Sequence, residues 1–439
     1  MLSLAVLTFV LPRFLSPYEF GEWQLFQFYV LYLGYITFGY SDGLLLRLAG
    51  KPWGNLPHGQ VGPGLLFLAV AEVASFLLLS AVLWFVLTES DWRWFAAACI
   101  GVAFYVPRVT ITFLFQATGR AQTVMISMLV ERAVLLGAAV AFCLHPGLGL
   151  PVLALGDIVG KAIGLTWSLF KARDVISLST FDEVRRAWPA FLADCRSGMF
   201  VVLSNLSALA LNGAVRLTIA TTLGTVAFGQ VSLALQFSTI FLVVVNAVSV
   251  ALFPNLKAAH ESQWPAHFYA MSRVTLPLAM VSLCLALPIG WLLDCWMPGF
   301  ERAVTLLILL MPVGYFEIKS RGILSVFMKA VRAEKALFVA NVISAVVGAL
   351  ACYIAARYLE SLTVAACTLV GALWLRSLVV ERMLHKRLGV GPLPTLLEAA
   401  CLGAYYIMAT VSTAAGFAGL CVLSALFRRR LIAPADYRA

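Results

Sequence analysis

Long runs of apolar residues, separated by short polar segments, fill the whole chain. Most runs reach the length of about 20 residues that an α-helix needs to cross the hydrocarbon core of a membrane. The pattern predicts helices at 1–15, 22–46, 63–88, 94–117, 122–144, 151–171, 190–222, 229–254, 272–293, 303–328, 335–357 and 362–384, and a further apolar stretch at 394–427. The strands of a membrane barrel would instead alternate polar and apolar residues. The chain is therefore predicted to be an all-α, polytopic membrane protein.

The composition excludes most other classes of protein. Of the 439 residues, 62% are hydrophobic and 12% are charged, and the mean hydropathy is +0.93. A soluble domain carries about 25% charged residues, so a soluble enzyme, a nucleic-acid binder and a single-anchor receptor are excluded. The nine cysteines form no C-x-x-C pair and the five histidines have no zinc-ligand spacing. We therefore expect a non-enzyme without metal or cofactor.

Lysine and arginine residues are concentrated in alternate loops. Fourteen follow the even-numbered predicted helices and four follow the odd-numbered ones, which places the even loops and the N-terminus in the cytoplasm. The C-terminal arginines at 428–430 and 438 belong on the same side, and this requires an even number of crossings. Because 394–427 could form one crossing or two, the prediction is roughly 12–14 helices, with a preference for fourteen.

A charged segment at 172–188 divides the predicted helices into two sets of six. We predict an N-terminal lobe at 1–171, a cytoplasmic amphipathic linker at 172–188, a C-terminal lobe at 189–386 and extra C-terminal segments with a basic tail at 387–439. Residues 15–25 also resemble residues 223–233, with four identities at one offset of 208 residues. Six helices per lobe give a parallel repeat about an axis along the membrane normal, which is typical of alternating-access transporters.

The first loop contains a short motif formed by Arg13, Leu15, Pro17, Glu19, Phe20 and Gly21. It resembles the R-x-L-x-P-x-E-F-G signature of bacterial polysaccharide flippases, which belong to the multidrug/oligosaccharidyl-lipid/polysaccharide exporter superfamily. The segment from Gly39 to Arg47 is similar to the end of the second helix in that family, but Val215 precedes Arg216 where the family often has Asp. The resemblance implies two lobes of six helices, often two more helices, and export of a lipid-linked oligosaccharide such as an O-antigen unit.

Charged residues inside the predicted helices are expensive and normally face a cavity or a partner. Nine are basic and five are acidic, which favours an anionic cargo. The basic residues are Arg47, Arg108, Arg132, Lys161, Arg196, Arg216, Lys319, Arg321 and Arg376, and the acidic ones are Asp42, Glu72, Glu131, Asp157 and Glu317.

Two acidic residues have a basic partner one turn along the same helix. Asp157 and Lys161, like Glu317 and Arg321, are spaced i,i+4 and are predicted to pair. Glycines at 156, 160 and 164 would let another helix approach closely, so we expect the Asp157 pair to lie at a contact between lobes. In the second lobe, Pro312 and Gly314 predict a kink beside Lys319, for which the sequence offers no local partner.

Isolated arginines are the best candidates for binding a pyrophosphate, because a guanidinium binds phosphate through two parallel hydrogen bonds and stays charged. Arg108 and Arg216 have no acidic residue within four positions. The candidate binding set is Arg216, Arg108, Arg47, Lys319, Arg321 and Arg132. The candidates for charge pairing or for coupling to a proton or a sodium ion are Asp157, Lys161, Glu131, Glu317 and Asp42.

These observations favour a flippase of the bacterial inner membrane that moves a polyprenyl-pyrophosphate-linked oligosaccharide outward by rocking of two lobes. Its partners would be that substrate, the bilayer and the polysaccharide assembly machinery, such as a polymerase, without nucleic acid. A multidrug or cation antiporter of the same superfamily is the alternative. A polysaccharide polymerase or ligase is the weaker alternative, since the predicted outer loops are short.

Overall fold

The computed structural model describes residues 2–176, 181–240, 242, 260–297, 299–389 and 395–411. Within these ranges the regular elements are helices and no strand occurs, so the all-α prediction is confirmed. Among the described residues, eight helical segments are long and apolar enough to cross a membrane, namely Gly59–Leu83, Glu89–Ala117, Ala121–Leu144, Pro151–Lys171, Val184–Leu223, Glu301–Ala330, Glu334–Tyr358 and Leu362–Leu388. Their outer sides carry exposed apolar residues such as Leu77 and Leu78. The chain is a multi-pass membrane protein.

The chain divides into two compact units, Met1–Leu206 and Ser207–Ala439. Unit 1 contains α1 (Leu2–Phe14), α2 (Pro17–Leu33), α3 (Tyr40–Leu48), α4 (His58–Leu83), α5 (Glu89–Ala117), α6 (Ala121–Leu144) and α7 (Pro151–Lys171), and the unit boundary falls inside α8 (Phe181–Leu223). Helix α5 packs against α2, α3, α4 and α7, while α6 packs against α7. Helix α5 is therefore the central helix of unit 1.

Unit 2 contains the rest of α8 and a second set of helices. They are α9 (Thr225–Ser238), α10 (Trp264–Cys284), α11 (Ala286–Trp296), α12 (Glu301–Lys319), α13 (Ser325–Ala330), α14 (Glu334–Tyr358), α15 (Leu362–Leu388) and α16 (Thr395–Val411). A π-helical turn, Ser320–Leu324, joins α12 to α13. Helix α12 packs against α9, α10, α11 and α15 and contacts α16, so it is central to unit 2.

Helices α2 and α9 begin at equivalent positions of the internal repeat. Their first residues, Pro17 and Thr225, are separated by the same 208 residues as the repeated sequences. At the start of α2, Ser16 Oγ accepts a hydrogen bond from the Glu19 amide at 3.3 Å, and Glu19 Oε2 accepts one from the Ser16 amide at 2.8 Å. This capping box satisfies two amides that the helix leaves unpaired. The repeat therefore marks two corresponding helix starts.

The second predicted helix is broken. The prediction of one helix at 22–46 is wrong, because α2 ends at Leu33 and α3 begins at Tyr40. Phe38 and Gly39 have φ values of 50° and 79° and turn the chain between the two helices. A Cβ atom on Gly39 would lie 2.4 Å from the amide nitrogen of Met199 on α8, so only glycine fits there. Irregular backbone inside a membrane protein is tolerated where it lines a cavity.

Other predicted helices differ less from the structure. The predicted helix at 272–293 is divided at Leu285 into α10 and α11, and the one at 303–328 contains the π-helical turn after Lys319. Parts of the predicted helices at 229–254 and 394–427, and residues 177–180 of the predicted linker, lie outside the described residues, whereas 181–188 belong to α8. The number of crossings and the lobe boundaries stay predictions.

Glycines on α7 allow close packing inside unit 1. A Cβ atom on Gly156 would lie 2.2 Å from the Cβ atom of Ala138, and one on Gly160 would lie 2.8 Å from the carbonyl oxygen of Glu131. The close approach predicted from the glycine spacing is confirmed. The expectation that this surface meets the other lobe is corrected, because the neighbouring helix here is α6 of the same unit.

Candidate functional site

A cavity of about 400 Å³ lies among the helices of unit 1. Its lining comes from α2, the break that follows α2, α3, α5, α6, α7 and the portion of α8 in this unit. Six lining residues are charged, namely Asp42, Arg108, Glu131, Arg132, Asp157 and Lys161. Three are acidic and three are basic. The excess of basic residues counted along the sequence is therefore absent from this lining.

Four of these charges form one buried network. Arg108 Nη2 lies 2.6 Å from Glu131 Oε2, and Lys161 Nζ lies 3.9 Å from Glu131 Oε1. Lys161 also pairs with Asp157 one turn away on α7, as the i,i+4 spacing predicts. All four side chains are almost completely buried. Two positive and two negative charges make the network neutral, and this neutrality offsets much of the cost of removing the charges from water.

Arg108 has further contacts that fix its position. Its Nη1 donates to Ser127 Oγ at 3.5 Å, and the guanidinium lies 5.4 Å from the centroid of the Tyr105 ring. The Ser127 and Ser168 hydroxyls are 2.9 Å apart, and a Cβ atom on Gly164 would lie 2.9 Å from Arg108 Cδ. Arg108 is thus isolated only along the sequence, because α6 supplies its ion-pair and hydrogen-bond partners in the fold.

Asp42 and Arg132 line the cavity without belonging to this network. Both side chains are half-buried, and among the described residues neither forms an ion pair within 4.0 Å. Asp42 lies in the first turn of α3, which is joined to α5 by a hydrogen bond of 2.6 Å between the Ser41 and Thr110 hydroxyls. Asp42 and Arg132 are therefore the two charged residues of the lining that no ion pair among the described residues neutralises.

Arg47 does not line the cavity. Its Nη2 donates to Asp194 Oδ2 at 2.8 Å and its Nη1 donates to Gln60 Oε1 at 2.7 Å. These bonds connect α3 to α8 and α4 inside unit 1. The structure thus gives Arg47 a role in joining helices.

Two candidate residues of unit 2 have polar partners on other helices. Arg216 on α8 donates to Ser232 Oγ at 2.7 Å, and its guanidinium lies 4.9 Å from the centroid of the Phe228 ring. Glu317 on α12 pairs with Arg321 one turn away at 2.7 Å, as the spacing predicts. The second oxygen of Glu317 lies 3.6 Å from Arg376 Nη2 and accepts a hydrogen bond from the Asn212 amide at 2.9 Å. Glu317 is therefore held by two other helices, α8 and α15, and by the turn that carries Arg321.

The interpretation of Lys319 as unpaired is wrong. Its ammonium donates to Glu398 Oε2 at 2.6 Å and also pairs with Glu381. Glu398 on α16 and Glu381 on α15 lie 79 and 62 positions after Lys319 in the sequence. No local spacing could have indicated them.

Sequence reasoning missed several residues that shape these sites. They are Tyr105, Ser127, Asp194, Glu381 and Glu398. Glu381 and Glu398 lie near the ends of apolar runs, where a charge usually reflects contact with water. Their burial depends on which helices pack together, and a single sequence does not contain that information. Among the described residues no group of three or more His, Cys, Asp and Glu side chains could hold a metal ion.

Comparisons with known proteins address the fold. No sequence-family model matches the chain, and no curated protein sequence matches it. A multidrug resistance MATE family transporter of the MOP superfamily, solved in an inward-facing conformation, aligns with a TM-score of 0.69 and 14% identity over 87% of this chain and 94% of that chain. Lipid II flippase MurJ, in an inward closed conformation, aligns with a TM-score of 0.62 and 12% identity over 98% of each chain. The chain has the fold of these transporters.

A third structure, MATE in its straight conformation, aligns with a TM-score of 0.55 and 15% identity over 88% of this chain and 93% of that chain. At such low identities the likeness concerns the fold. It agrees with the superfamily that the motif from Arg13 to Gly21 resembles.

Proposed function

We propose that the chain is a flippase that moves a polyprenyl-pyrophosphate-linked oligosaccharide across the bacterial inner membrane for surface polysaccharide synthesis. The fold agrees with this proposal, since the alignment with MurJ spans 98% of both chains, and the observation that carries the proposal is the motif in the first loop. MurJ is described as a lipid II flippase. The motif from Arg13 to Gly21 points to the same class of cargo.

The cavity of unit 1 suits the head group of such a cargo. Small-molecule sites have volumes of roughly 300–1,000 Å³, and this cavity has about 400 Å³. The Arg132 guanidinium at its wall can donate two parallel hydrogen bonds to phosphate oxygens. We propose that the sugar and pyrophosphate enter the protein while the polyprenyl tail stays in the bilayer.

The membrane potential favours outward movement of an anionic head group. Moving two negative charges outward across about 100 mV gains roughly 4–5 kcal/mol when no other ion moves. We propose that the N-terminus is cytoplasmic and that alternating access by lobe rocking performs the transfer. A proton or a sodium ion could contribute to coupling at Asp42, Glu131, Asp157 or Glu317.

The test is a leaflet-exchange assay with the purified full chain in liposomes. A polyprenyl-pyrophosphate oligosaccharide with a fluorescent sugar is incorporated, and a membrane-impermeant quencher reports how much of it becomes accessible from outside. We expect Arg132→Gln to lose a charge-assisted bond of about 1.5–3 kcal/mol, which is roughly 10- to 150-fold in affinity. Arg93→Gln is the matched control, because Arg93 is exposed, pairs with Glu89 and does not line the cavity. Exchange no faster than in protein-free liposomes would overturn the proposal.

A cation antiporter is the second candidate, and Asp42 is the observation that favours it. Its half-buried carboxylate lines the same cavity, where it could neutralise an organic cation. If the chain is a cation antiporter, Asp42→Asn should abolish uptake of a lipophilic cation and Arg132→Gln should leave that uptake unchanged. If the chain is a flippase, Arg132→Gln should impair exchange of the lipid-linked oligosaccharide between leaflets. Deletion of the gene should then leave lipid-linked units on the inner leaflet.

A further inference from the structure

The cavity of unit 1 contains three carboxamide side chains besides its charged residues. Gln27 on α2, Gln116 on α5 and Asn205 on α8 line it from three different helices. A carboxamide donates and accepts hydrogen bonds at the same time. The hydroxyl groups of a sugar also do both, whereas the oxygens of an ionised pyrophosphate only accept. The three carboxamides therefore match the sugar of the proposed cargo better than its pyrophosphate.

Gln27 provides the strongest evidence that this part of the lining binds a ligand. Its Nε2 atom is buried and has no hydrogen-bond partner among the described residues. A buried amide donor normally has a partner, and a group that occupies the cavity can supply one. Gln116 and Asn205 are exposed, so their amides are accessible to the same occupant. Tyr35 and Phe113 add aromatic side chains to the lining, as is common in sites for small organic ligands.

The charges of the lining restrict the kind of sugar that fits. Four of the six charged residues belong to the neutral network of ion pairs. Of the other two, Arg132 suits the pyrophosphate, and Asp42 is the acidic residue that remains for the rest of the head group. A sphere of 400 Å³ is about 9 Å across, which is close to the distance of roughly 8–10 Å over which salt screens charges. A sugar carboxylate in this space would be repelled by Asp42, whereas the hydroxyl of an uncharged sugar can donate a hydrogen bond to it.

We propose that the cavity selects an uncharged sugar next to the pyrophosphate. Gln27, Gln116 and Asn205 bind its hydroxyl groups, and Asp42 rejects a sugar that carries a carboxylate. Attraction of the correct group and repulsion of the wrong one together give specificity. Arg132 then binds the pyrophosphate that every such cargo has in common, while the carboxamides distinguish one cargo from another. This inference rests on the proposed function and names the class of sugar.

The test is a binding measurement by calorimetry on the purified full chain in lipid nanodiscs. The probes are a short-chain prenyl pyrophosphate that carries glucose, the same compound with glucuronic acid, and the compound without a sugar. Glucose and glucuronic acid differ only in the replacement of a hydroxymethyl group by a carboxylate. The wild type should bind the glucosyl probe about tenfold more tightly than either of the other two, because several neutral hydrogen bonds add up to at least this factor.

Three variants assign the preference to particular side chains. Gln27→Met and Asn205→Leu remove a carboxamide with little change in size, and each should reduce the ratio of affinities for the glucosyl and the sugar-free probe by about 2- to 10-fold. Asp42→Asn should strengthen binding of the glucuronyl probe by about tenfold. Gln122→Met is the matched control and should retain the wild-type ratio, because Gln122 is exposed near the start of α6 and does not line the cavity. A ratio measured on one preparation is insensitive to partial unfolding of a variant.

The outcomes separate this inference from the proposed function. Equal affinity of the wild type for the glucosyl and glucuronyl probes would overturn the selection of an uncharged sugar. An unchanged ratio in both Gln27→Met and Asn205→Leu would overturn the role of the carboxamides, and a chain that binds none of the probes would overturn both. The leaflet-exchange assay decides the proposed function independently. Selective binding of the glucosyl probe without exchange of the full lipid would support the sugar site and refute the flippase.

Discussion

The ion pair between Arg108 and Glu131 allows a sharp test of how the cavity is built. We consider Arg108→Met, Glu131→Gln and the double variant. Both side chains are almost fully buried, and their charged atoms are 2.6 Å apart. Removing one partner of a buried pair costs about 3–5 kcal/mol, because the other charge is left in a medium that solvates it poorly. The double variant removes both charges and should recover much of this loss.

The structure also predicts that the two single variants differ. In Arg108→Met, the Glu131 carboxylate still has Lys161 Nζ at 3.9 Å and can move toward it. In Glu131→Gln, the new amide oxygen, the Ser127 hydroxyl at 3.5 Å and the Tyr105 ring can still contact Arg108, but no carboxylate among the described residues remains within 4.0 Å to balance its charge. Glu131→Gln should therefore cost more stability than Arg108→Met, by about 1 kcal/mol or more.

The assay is unfolding of the three purified variants in one detergent, analysed as a double-mutant cycle. A coupling free energy of about 1–3 kcal/mol is expected for a direct contact. Costs that add to within about 0.5 kcal/mol would refute a direct pair, because independent sites behave in this way.

Transport by the same variants separates binding from positioning. If Arg108 binds the pyrophosphate directly, Arg108→Met loses affinity for the cargo whereas Glu131→Gln retains it. If the pair only shapes the cavity, the single variants lose affinity alike and the double variant recovers it. Arg132→Gln is the reference for both cases, since Arg132 lines the cavity outside the network.

Three further predictions follow from packing and charge. Gly156→Ala should lower the free energy of unfolding by about 1–3 kcal/mol through overpacking. Gly137→Ala is the control, because nothing lies within 4 Å of the added Cβ atom. It should raise the free energy of unfolding by about 0.5–1 kcal/mol, since alanine favours a helix interior more than glycine does. Glu72 is fully buried, and neither of its carboxyl oxygens has a hydrogen-bond partner among the described residues. Glu72→Gln should therefore change the free energy of unfolding by less than about 1 kcal/mol. A much larger loss in the same unfolding assay would show that Glu72 is ionised. Arg47→Ala leaves the buried Asp194 unpaired and should lower the free energy of unfolding by about 2 kcal/mol. Arg47→Lys should recover part of this loss. Equal unfolding of Arg47→Ala and the wild type would contradict the prediction.

The helices were predictable wherever hydropathy and local chemistry agree. Helix α7 begins at Pro151 and ends at Lys171, as its apolar run predicts, and the repeat locates the starts of α2 and α9. The break between Leu33 and Tyr40 was not predictable in this way, because the residues remain apolar while the backbone turns. Hydropathy measures transfer from water to lipid and is insensitive to backbone angles. The φ of 79° at Gly39 therefore cannot be predicted from it.

The charged sites show the same division between local and distant information. The pairs of Asp157 with Lys161 and of Glu317 with Arg321 follow from helical spacing, because residues four apart share a helix face. Arg108 and Lys319 have partners on other helices, and a list of charges within four positions could not reveal them. Isolation along the sequence is therefore a poor indicator that a membrane-buried arginine or lysine is free to bind cargo.

This result changes how the intramembrane charges bear on the cargo. A simple excess of basic residues would favour an anion, but the lining of the unit 1 cavity contains equal numbers of acidic and basic groups, and four of them neutralise each other. A cargo gains most from groups whose charge the protein does not already compensate, because breaking an existing buried pair costs free energy. Asp42 and Arg132 are the two such groups described at this cavity, and they have opposite charges. The contrast between Asp42→Asn and Arg132→Gln therefore decides between a cationic and an anionic cargo more directly than any count of charges.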